Sequence, residues 1–366
     1  MRRLLSSLLL CLALPAGAQE FTTYKGHGGP IMALDVSPDG QLASASFDNS
    51  VGLWPGPAWL EGHAAAVTAL TNAAPVVMSG GDDFRVLMWR SDIPEPYEVT
   101  RMKGKISAIA IAPDERSLAV ASWDGSIRMM RLFSSLHSPG AAPSVKIGGD
   151  LLDHRSNVTD VAFARDGMLY SASSDGTVRV WNGDGSRVIA NQGFGINRII
   201  VHDNWLAYGA VDGTTRVIDR ETGEETADFT LDRRPILSMD YHAPTRQLAI
   251  GDGEGHIMMV DTETWTISRD FRAMRQGPGW ALAFSNDGTV IHAGGIDDVI
   301  YAWPVALLDT YDPAGGDTRS FLRDAETMPN GERQFMRKCS ICHSLDAGPS
   351  RKAGPTLHGV FGRRAG

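Results

Sequence analysis

The stretch that decides the fold is Ser-Ala-Ser-Ser-Asp-Gly-Thr-Val-Arg-Val-Trp, residues 171–181. Its second half alternates polar and apolar side chains, which predicts a strand that packs through one face. A similar block, Ser-Ala-Ser-Phe-Asp at 44–48, precedes Trp54, and in both blocks an Asp stands six residues before a Trp. The stretch is therefore one copy of an internal repeat built from strands and tight turns.

The offset of six recurs along the chain. It is found again at Asp83 and Asp297, and weaker versions begin at Asp124, Asp212 and Glu254. The seven copies are separated by 35, 41, 51, 37, 42 and 43 residues. This period and signature resemble the WD-repeat family, whose unit is a four-stranded propeller blade. The resemblance implies an all-β, seven-bladed propeller over residues 19–308.

Three histidines near the copies support this resemblance. Gly26-His27 and Gly62-His63 match the Gly-His pair of the family, and Asp153-His154 is a variant of it. Each His is followed four residues later by a β-branched residue, which predicts the start of an inner strand at Ile31, Val67 and Val158. In the family, the His, the turn Asp, a strand Ser or Thr and the Trp form a hydrogen-bonded network. The implied networks are structural rather than catalytic: His27, Asp48 and Trp54, and His154, Asp175 and Trp181.

Closure of the ring and one insertion can also be predicted. Residues 21–24 have strand character and precede the first repeat, so we expect them to complete the seventh blade, because an open ring would leave an unpaired edge. Turns at Gly40, Gly167 and Gly288 follow Asp, as tight hairpins require. Residues 134–149 are rich in Ser, Pro and Gly, which predicts a surface loop.

The N-terminus predicts export. Arg2 and Arg3 precede an apolar run too short to span a bilayer, and Ala-Gly-Ala at 16–18 offers a cleavage site, so residues 1–18 form a predicted signal peptide. Cleavage would change the formal charge from −9 to −11. An exported acidic chain is a poor partner for nucleic acid, and its surface favours a basic protein partner. No later segment is apolar enough to predict a membrane span.

The C-terminal part carries the pentapeptide Cys339-Ser-Ile-Cys342-His343, the attachment pattern for covalent haem. Two thiols three residues apart on one helical turn both reach one haem, and the adjacent His then lies beneath the iron as its axial ligand. A redox dithiol would be expected near a βαβ unit, and zinc would need a second ligand pair. A structural disulfide would not need the His. The pentapeptide therefore predicts one haem c per chain.

The surroundings of the pentapeptide resemble class I cytochromes c. Gly331 and Phe335 match the Gly and the aromatic residue of the N-terminal helix of that class, eight and four residues before Cys339. Pro355 follows His343 by twelve residues, as in the class. The resemblance implies that the Pro355 carbonyl accepts the ring N–H of His343 and that Leu357 packs on the haem. It gives His358 no role as an iron ligand.

The predicted organisation is a signal peptide at 1–18, the propeller at 19–308, a linker at 309–326 and a partial all-α cytochrome c domain at 327–366. No Met follows His343, so we expect the sixth iron ligand beyond Gly366, in a longer protein. The leading hypothesis is a periplasmic electron carrier whose propeller docks a redox partner, rather than an enzyme. Two alternatives stay open: a propeller oxidoreductase with the cytochrome as internal electron acceptor, and a non-catalytic interaction module.

Overall fold

The computed structural model describes residues 21–90, 92–132, 144–183, 185–230, 235–310 and 356–360, and the single residues 329, 331, 335, 339, 343, 345 and 347. Over these residues the chain forms 28 strands and one short 3₁₀ helix, Val305–Thr310. The strands make seven antiparallel sheets of four strands each. Each sheet is one blade of a propeller, so the predicted all-β, seven-bladed architecture is confirmed.

The first four blades contain the following strands, from the innermost outward. They are β2 Ile31–Val36, β3 Leu42–Ser46, β4 Ser50–Trp54 and β5 Ala58–Glu61; β6 Val67–Ala73, β7 Val76–Gly81, β8 Arg85–Arg90 and β9 Ile93–Arg101; β10 Ile106–Ile111, β11 Ser117–Ser122, β12 Ile127–Leu132 and β13 Val145–Leu151; and β14 Val158–Phe163, β15 Leu169–Ser173, β16 Thr177–Asn182 and β17 Gly185–Asn191.

The other three blades are built in the same way, with one exception in the seventh. Their strands are β18 Ile196–Val201, β19 Trp205–Ala210, β20 Thr215–Asp219 and β21 Glu225–Asp228; β22 Ile236–His242, β23 Gln247–Asp252, β24 His256–Asp261 and β25 Thr266–Arg272; and β26 Gly279–Phe284, β27 Val290–Gly295, β28 Val299–Pro304 and, from the start of the chain, β1 Thr22–Lys25.

The seventh blade closes the ring. β1 pairs antiparallel with β28, with Thr22 opposite Ala302 and Lys25 opposite Val299. This confirms the prediction that the first residues supply the outer strand of the last blade. β1 and β28 lie at opposite ends of the described propeller sequence. Their pairing therefore joins the start of the propeller to its last blade and closes the ring.

Close contacts between glycines and isoleucines set the spacing of the blades. Ile106 and Ile236, the first residues of two inner strands, are fully buried. A Cβ on Gly80 would lie 2.4 Å from Ile106, and one on Gly209 would lie 2.3 Å from Ile236, so only glycine allows each isoleucine to reach the preceding blade.

Three inner strands begin where the sequence predicts, but the bounds of one predicted loop differ from the structure. β2, β6 and β14 begin at the three predicted residues. The predicted loop at 134–149 is wrong in its last part, because β13 begins at Val145. This strand is the exposed outer edge of its blade and bulges at Gly148, so it lacks the apolar alternation by which strands are recognised.

Antiparallel order gives the ring two distinct faces. The entry face carries the turns between the second and third strands of each blade and the connections from one blade to the next, since every inner strand begins there. The exit face carries the turns between the first and second and between the third and fourth strands. Among the described residues, no helix has the length and apolar character needed to cross a bilayer.

Candidate functional site

The predicted haem-attachment segment contains a helical run of backbone hydrogen bonds. Gly331 and Phe335 have α-helical conformation. The amide of Cys339 donates to the carbonyl of Phe335 at 2.8 Å, and the amide of His343 donates to the carbonyl of Cys339 at 2.8 Å. Bonds from residue i+4 to residue i put Phe335, Cys339 and His343 on one side of the helical run. All three side chains are partly buried.

These residues fit a covalently held haem. Cys339 is a free thiol one turn before His343, which is the arrangement that the attachment chemistry needs. Haem iron needs only an axial ligand from the chain, so a cluster of protein ligands is not required. Within the described part of the chain, no three His, Cys, Asp or Glu side chains are grouped to hold a metal ion. Cys342, predicted as the second attachment point, lies outside the described residues.

The loop after the pentapeptide is described only at 356–360. Leu357, predicted to pack on the haem, is partly buried, and its carbonyl accepts the amide of Val360 at 3.1 Å in a tight turn. The ring Nδ1 of His358 lies 3.1 Å from the carbonyl oxygen of Leu345, to which it donates. This bond connects the turn to the segment just after His343. Pro355, the predicted acceptor for the His343 ring, lies outside the described residues.

Three blades contain a complete side-chain network around a buried histidine. In each, His Nδ1 donates to the Asp carboxylate at 2.9–3.0 Å, and Ser Oγ lies 2.7–2.8 Å from both His Nε2 and Trp Nε1. Two of the networks were predicted and the third was not. The two predicted networks contain His27, Ser44, Asp48 and Trp54, and His154, Ser171, Asp175 and Trp181. The network that was not predicted contains His63, Ser79, Asp83 and Trp89.

The electrostatics of the network around His154 favour a neutral His154 beside an ionised Asp175. Burial opposes ionisation of Asp175, but hydrogen bonds from Thr177, from the Arg155 amide and from His154 outweigh it and hold the pKa of Asp175 well below its usual range. Burial lowers the pKa of His154, against the opposing effect of Asp175. Every polar atom in the network has a partner in the blade, so the residues stabilise the fold and present no reactive group.

Three carboxylates at the centre of the ring were not predicted from the sequence. A cavity of about 250 Å³ is lined by all seven inner strands, and Asp35, Asp160 and Asp240 line it. Each accepts the backbone amide of a residue on the next inner strand, at 2.7–2.9 Å: Asn72, Ile199 and Phe284. In the sequence these residues look like ordinary polar positions of an alternating strand. The hydrogen bonds of these carboxylates therefore join neighbouring blades around the central cavity.

Burial raises the pKa of Asp35 to about 7, and the nearby Asp240 adds to this, although the amides of Asn72 and Val36 favour the ionised form. Burial also raises the pKa of Asp240, and that of Asp160, for which Arg198 partly compensates. The central cavity is therefore an acidic site whose carboxyl groups hold protons more tightly than carboxyl groups in water do.

Replacement of Asp35 by Asn is expected to change how stability depends on pH. In the folded state the pKa of Asp35 is about 7, and in the unfolded chain it returns to 3.8, so folding binds a proton between these values. The free energy of unfolding should fall as the pH rises through this window, by at most about 1.4 kcal/mol per pH unit for one group. In Asp35→Asn the fall should be smaller, as measured by urea unfolding at a series of pH values.

Asp114→Asn is the control, because Asp114 is an exposed turn residue whose pKa is lowered by hydrogen bonds from Arg116 and Ser117, against slight burial. It titrates below the window and should leave the slope unchanged. Equal slopes in Asp35→Asn and the unaltered chain would show that Asp35 is ionised throughout.

Comparisons with known proteins agree with the geometry of the blades. The model of the WD domain, G-beta repeat family matches residues 18–55, 97–129 and 146–182. WD40 repeats are therefore supported within the seven-bladed propeller. The solved WD40 beta-propeller domain of Doa1 superposes with a TM-score of 0.65 at 16% identity and covers 77% of this chain and 94% of that one, which supports the fold alone.

Two relatives match stretches of very different length. Mitochondrial division protein 1 of Schizosaccharomyces pombe is 25% identical over 247 residues, which is 60% of this chain and 33% of that protein. Cytochrome c of Nigella damascena is 49% identical over 37 residues, which is 10% of this chain and 33% of that protein. The chain therefore spans no more than about a third of either relative. The short cytochrome c match is a weak indication of electron transfer.

Proposed function

We propose that the chain is an exported, periplasmic c-type cytochrome whose WD40 propeller serves as the docking platform for a redox partner. The observation that carries the proposal is the helical run through Phe335, Cys339 and His343, with both backbone bonds at 2.8 Å. The short likeness to cytochrome c supports it. The signal peptide at 1–18 and the class I domain at 327–366 belong to the proposal.

The chain's residues would have distinct tasks. Cys339 and Cys342 hold the haem covalently, and His343 binds its iron through a neutral ring nitrogen. Pro355 fixes the ring of His343 by accepting its other N–H, and Leu357 shields the haem from water. When bound, haem supplies reversible exchange of one electron. Phe335 lies on the same side of the helical run as Cys339, and in the proposed class I domain it would pack the helix against the rest of that domain.

The entry face of the WD40 propeller has the features of a docking surface. Five large apolar side chains are exposed there, on turns and connections of the second to fifth blades: Phe84, Trp123, Leu152, Phe194 and Val211, each between 42% and 69% exposed. Exposed apolar groups concentrated on one face indicate an interaction site. The net charge of −9 further favours a basic partner, with association that weakens as salt increases.

A reduced-minus-oxidised absorption spectrum tests the proposed electron transfer. The chain would be purified from a host that attaches haem to c-type cytochromes, then reduced with dithionite and reoxidised with ferricyanide. We expect the absorption of covalently attached haem, which interconverts reversibly between the reduced and the oxidised form. His343→Ala should shift the reduced spectrum, because the haem iron would lose the ligand that this side chain supplies.

Leu345→Ala is the matched control, since this side chain is 56% exposed and only its backbone carbonyl is bonded to His358. It should behave as the unaltered chain does. A chain that shows no haem absorption, or an unchanged spectrum in His343→Ala, would contradict the proposal.

A further inference from the structure

The exit face has a cavity of about 630 Å³ between the fifth and sixth blades, a size typical of sites for small molecules. Four rings and two guanidinium groups line it: His202, Trp205, Tyr241, Trp265, Arg165 and Arg246. The cavity lies on the face opposite the exposed apolar residues proposed for docking. Neither the networks of the blades nor the haem segment uses these residues.

The rings form one connected aromatic wall. Trp205 is buried and makes edge contacts with Tyr241 at 4.9 Å and with Trp265 at 5.3 Å between ring centroids. His202 stacks on Trp205 at 5.4 Å with an interplanar angle of 25°. Burial lowers the pKa of His202, and the charges of Arg165 and Arg220 add to this against Asp203, so its ring is neutral at neutral pH. The wall offers flat apolar surfaces to a flat ligand.

Arg246 occupies a position that is glycine in other blades. In the turn between the first and second strands of a blade, the backbone amide of the fourth turn residue donates to the carbonyl of the first turn residue. Gly40, Gly167 and Gly288 are fourth residues that make this bond. Those glycines have φ of 90°, 85° and 68°. Arg246 makes the same bond and has φ of 54°. A side chain is strained in this left-handed region, where glycine is not.

Trp265 is a second residue of the sixth blade that stands where another blade has glycine. In the fifth blade, Asp219 accepts two turn amides and Gly223 follows with φ of 77°. In the sixth blade, Asp261 accepts the equivalent two amides, and Trp265 follows with φ of 53°. Left-handed φ is rare for so bulky a residue. The sixth blade therefore has two strained residues where other blades have glycine, and both line the same cavity.

Strain at two turns that meet in one cavity indicates a function for the two side chains. One such substitution alone would carry little weight, because Glu115 has φ of 53° in the equivalent turn of the third blade. Glu115 is exposed and lies in a different blade from the cavity. Trp265 contributes a ring to the wall, and Arg246 contributes a cation at its rim.

We propose that this cavity binds a planar aromatic ligand that carries a negatively charged group. The ring system of the ligand packs against Trp205 and Trp265, and its anion is bound by Arg246 and Arg165. Asp219 also lines the cavity as an ionised carboxylate that accepts the amides of its own turn, and the two guanidinium groups outweigh its charge. The site goes beyond the proposed electron transfer and does not depend on it.

The two arginines are available to an incoming anion. Arg246 pairs with Glu263 at 2.9 Å and Arg165 with Asp203 at 3.4 Å, and all four side chains are more than half exposed. Ion pairs at such exposure contribute little stability, since water screens them. A carboxylate held against the rings would be partly shielded from water and can take two parallel bonds from one guanidinium group.

Equilibrium dialysis with 2-naphthoate tests the proposal, with 2-naphthylmethylammonium as a probe of the same ring and opposite charge. We expect saturable binding of naphthoate at one site per chain, and binding of the ammonium probe at least tenfold weaker. Trp265→Gly and Arg246→Gly should each weaken naphthoate binding at least tenfold. Their urea midpoints should not fall greatly, because glycine relieves the backbone strain.

Glu115→Gly is the matched control. It relieves the same strain in the third blade and should leave naphthoate binding unchanged. Folding of each variant is checked by circular dichroism. The proposal is overturned if naphthoate does not bind, if the ammonium probe binds as tightly, or if folded Arg246→Gly and Trp265→Gly bind naphthoate as the unaltered chain does.

Discussion

A chain that lacks residues 21–25 is expected to lose about 5 kcal/mol of unfolding free energy, or to fail to fold cooperatively. The deletion removes β1 and its ladder of four residue pairs with β28. It also removes Phe21, whose ring stacks on that of Trp303 at 4.4 Å, while Trp303 is fully buried. Lost hydrogen bonds of about 1 kcal/mol each and two uncovered aromatic side chains give this figure. It is comparable with the total stability of many domains.

Urea unfolding measures this effect, with a chain that begins at Phe21 as the control. The control keeps β1 and should unfold at the same midpoint as the chain that begins at Gln19. The deleted chain should also associate, as seen by size-exclusion chromatography, because β28 becomes an open edge. A deletion that stays monomeric and unfolds at the control midpoint would show that the seventh blade is stable without β1.

Replacement of His154 by Ala is expected to cost about 3 kcal/mol, because it breaks a buried hydrogen-bonded pair and leaves its partner unmatched. The side chain of His154 is fully buried and that of Asp175 is 9% exposed. The substitution removes the bond to Asp175 at 3.0 Å and the contact with Ser171 at 2.7 Å. It leaves a cavity beside Trp181.

Gln192→Ala is the comparison that the chain itself offers. Gln192 stands four residues before β18, where other blades have His, and it is partly exposed. It donates to Thr214 at 2.8 Å and reaches Asp212 only at 3.5 Å. We expect a cost of about 1 kcal/mol or less for its removal. Equal effects of the two substitutions on the urea midpoint would mean that the His networks add nothing beyond ordinary packing.

The blades could be predicted because their signals are local. An Asp six residues before a Trp marks one turn and the strand that follows it, so each copy identifies itself within the sequence. The closing strand also followed from a physical requirement, since a ring with open edges is unfavourable. The His63 network was missed as a set, although its His and its Asp-to-Trp pair were each visible in the sequence.

What the sequence concealed depends on contacts between distant residues. Asp35 looks like any polar residue of an alternating strand, and only the closed ring buries it and places Asp240 nearby. The cavity of the exit face was hidden because its two decisive turns lack the glycine by which turns are recognised. Arg246 and Trp265 become informative only when their φ angles are compared with those of glycines in other blades.

For the haem segment, the sequence supplied the hypothesis and the structure supplies part of its geometry. Cys339 and His343 lie one turn apart in a helical run. Cys342 and Pro355 lie outside the described residues, so their roles stay predictions. The likeness to cytochrome c covers 10% of the chain, and it indicates the same class of protein as the pentapeptide does.

Covalent attachment of haem to the chain is tested by the retention of haem after unfolding. Chain purified from a haem-attaching host would be unfolded in guanidinium chloride and extracted with acidified acetone. We expect one haem to stay with each polypeptide, and the Cys339→Ala, Cys342→Ala double variant to release or lack it. Unaltered polypeptide that carries no haem after this treatment would overturn the proposed covalent attachment.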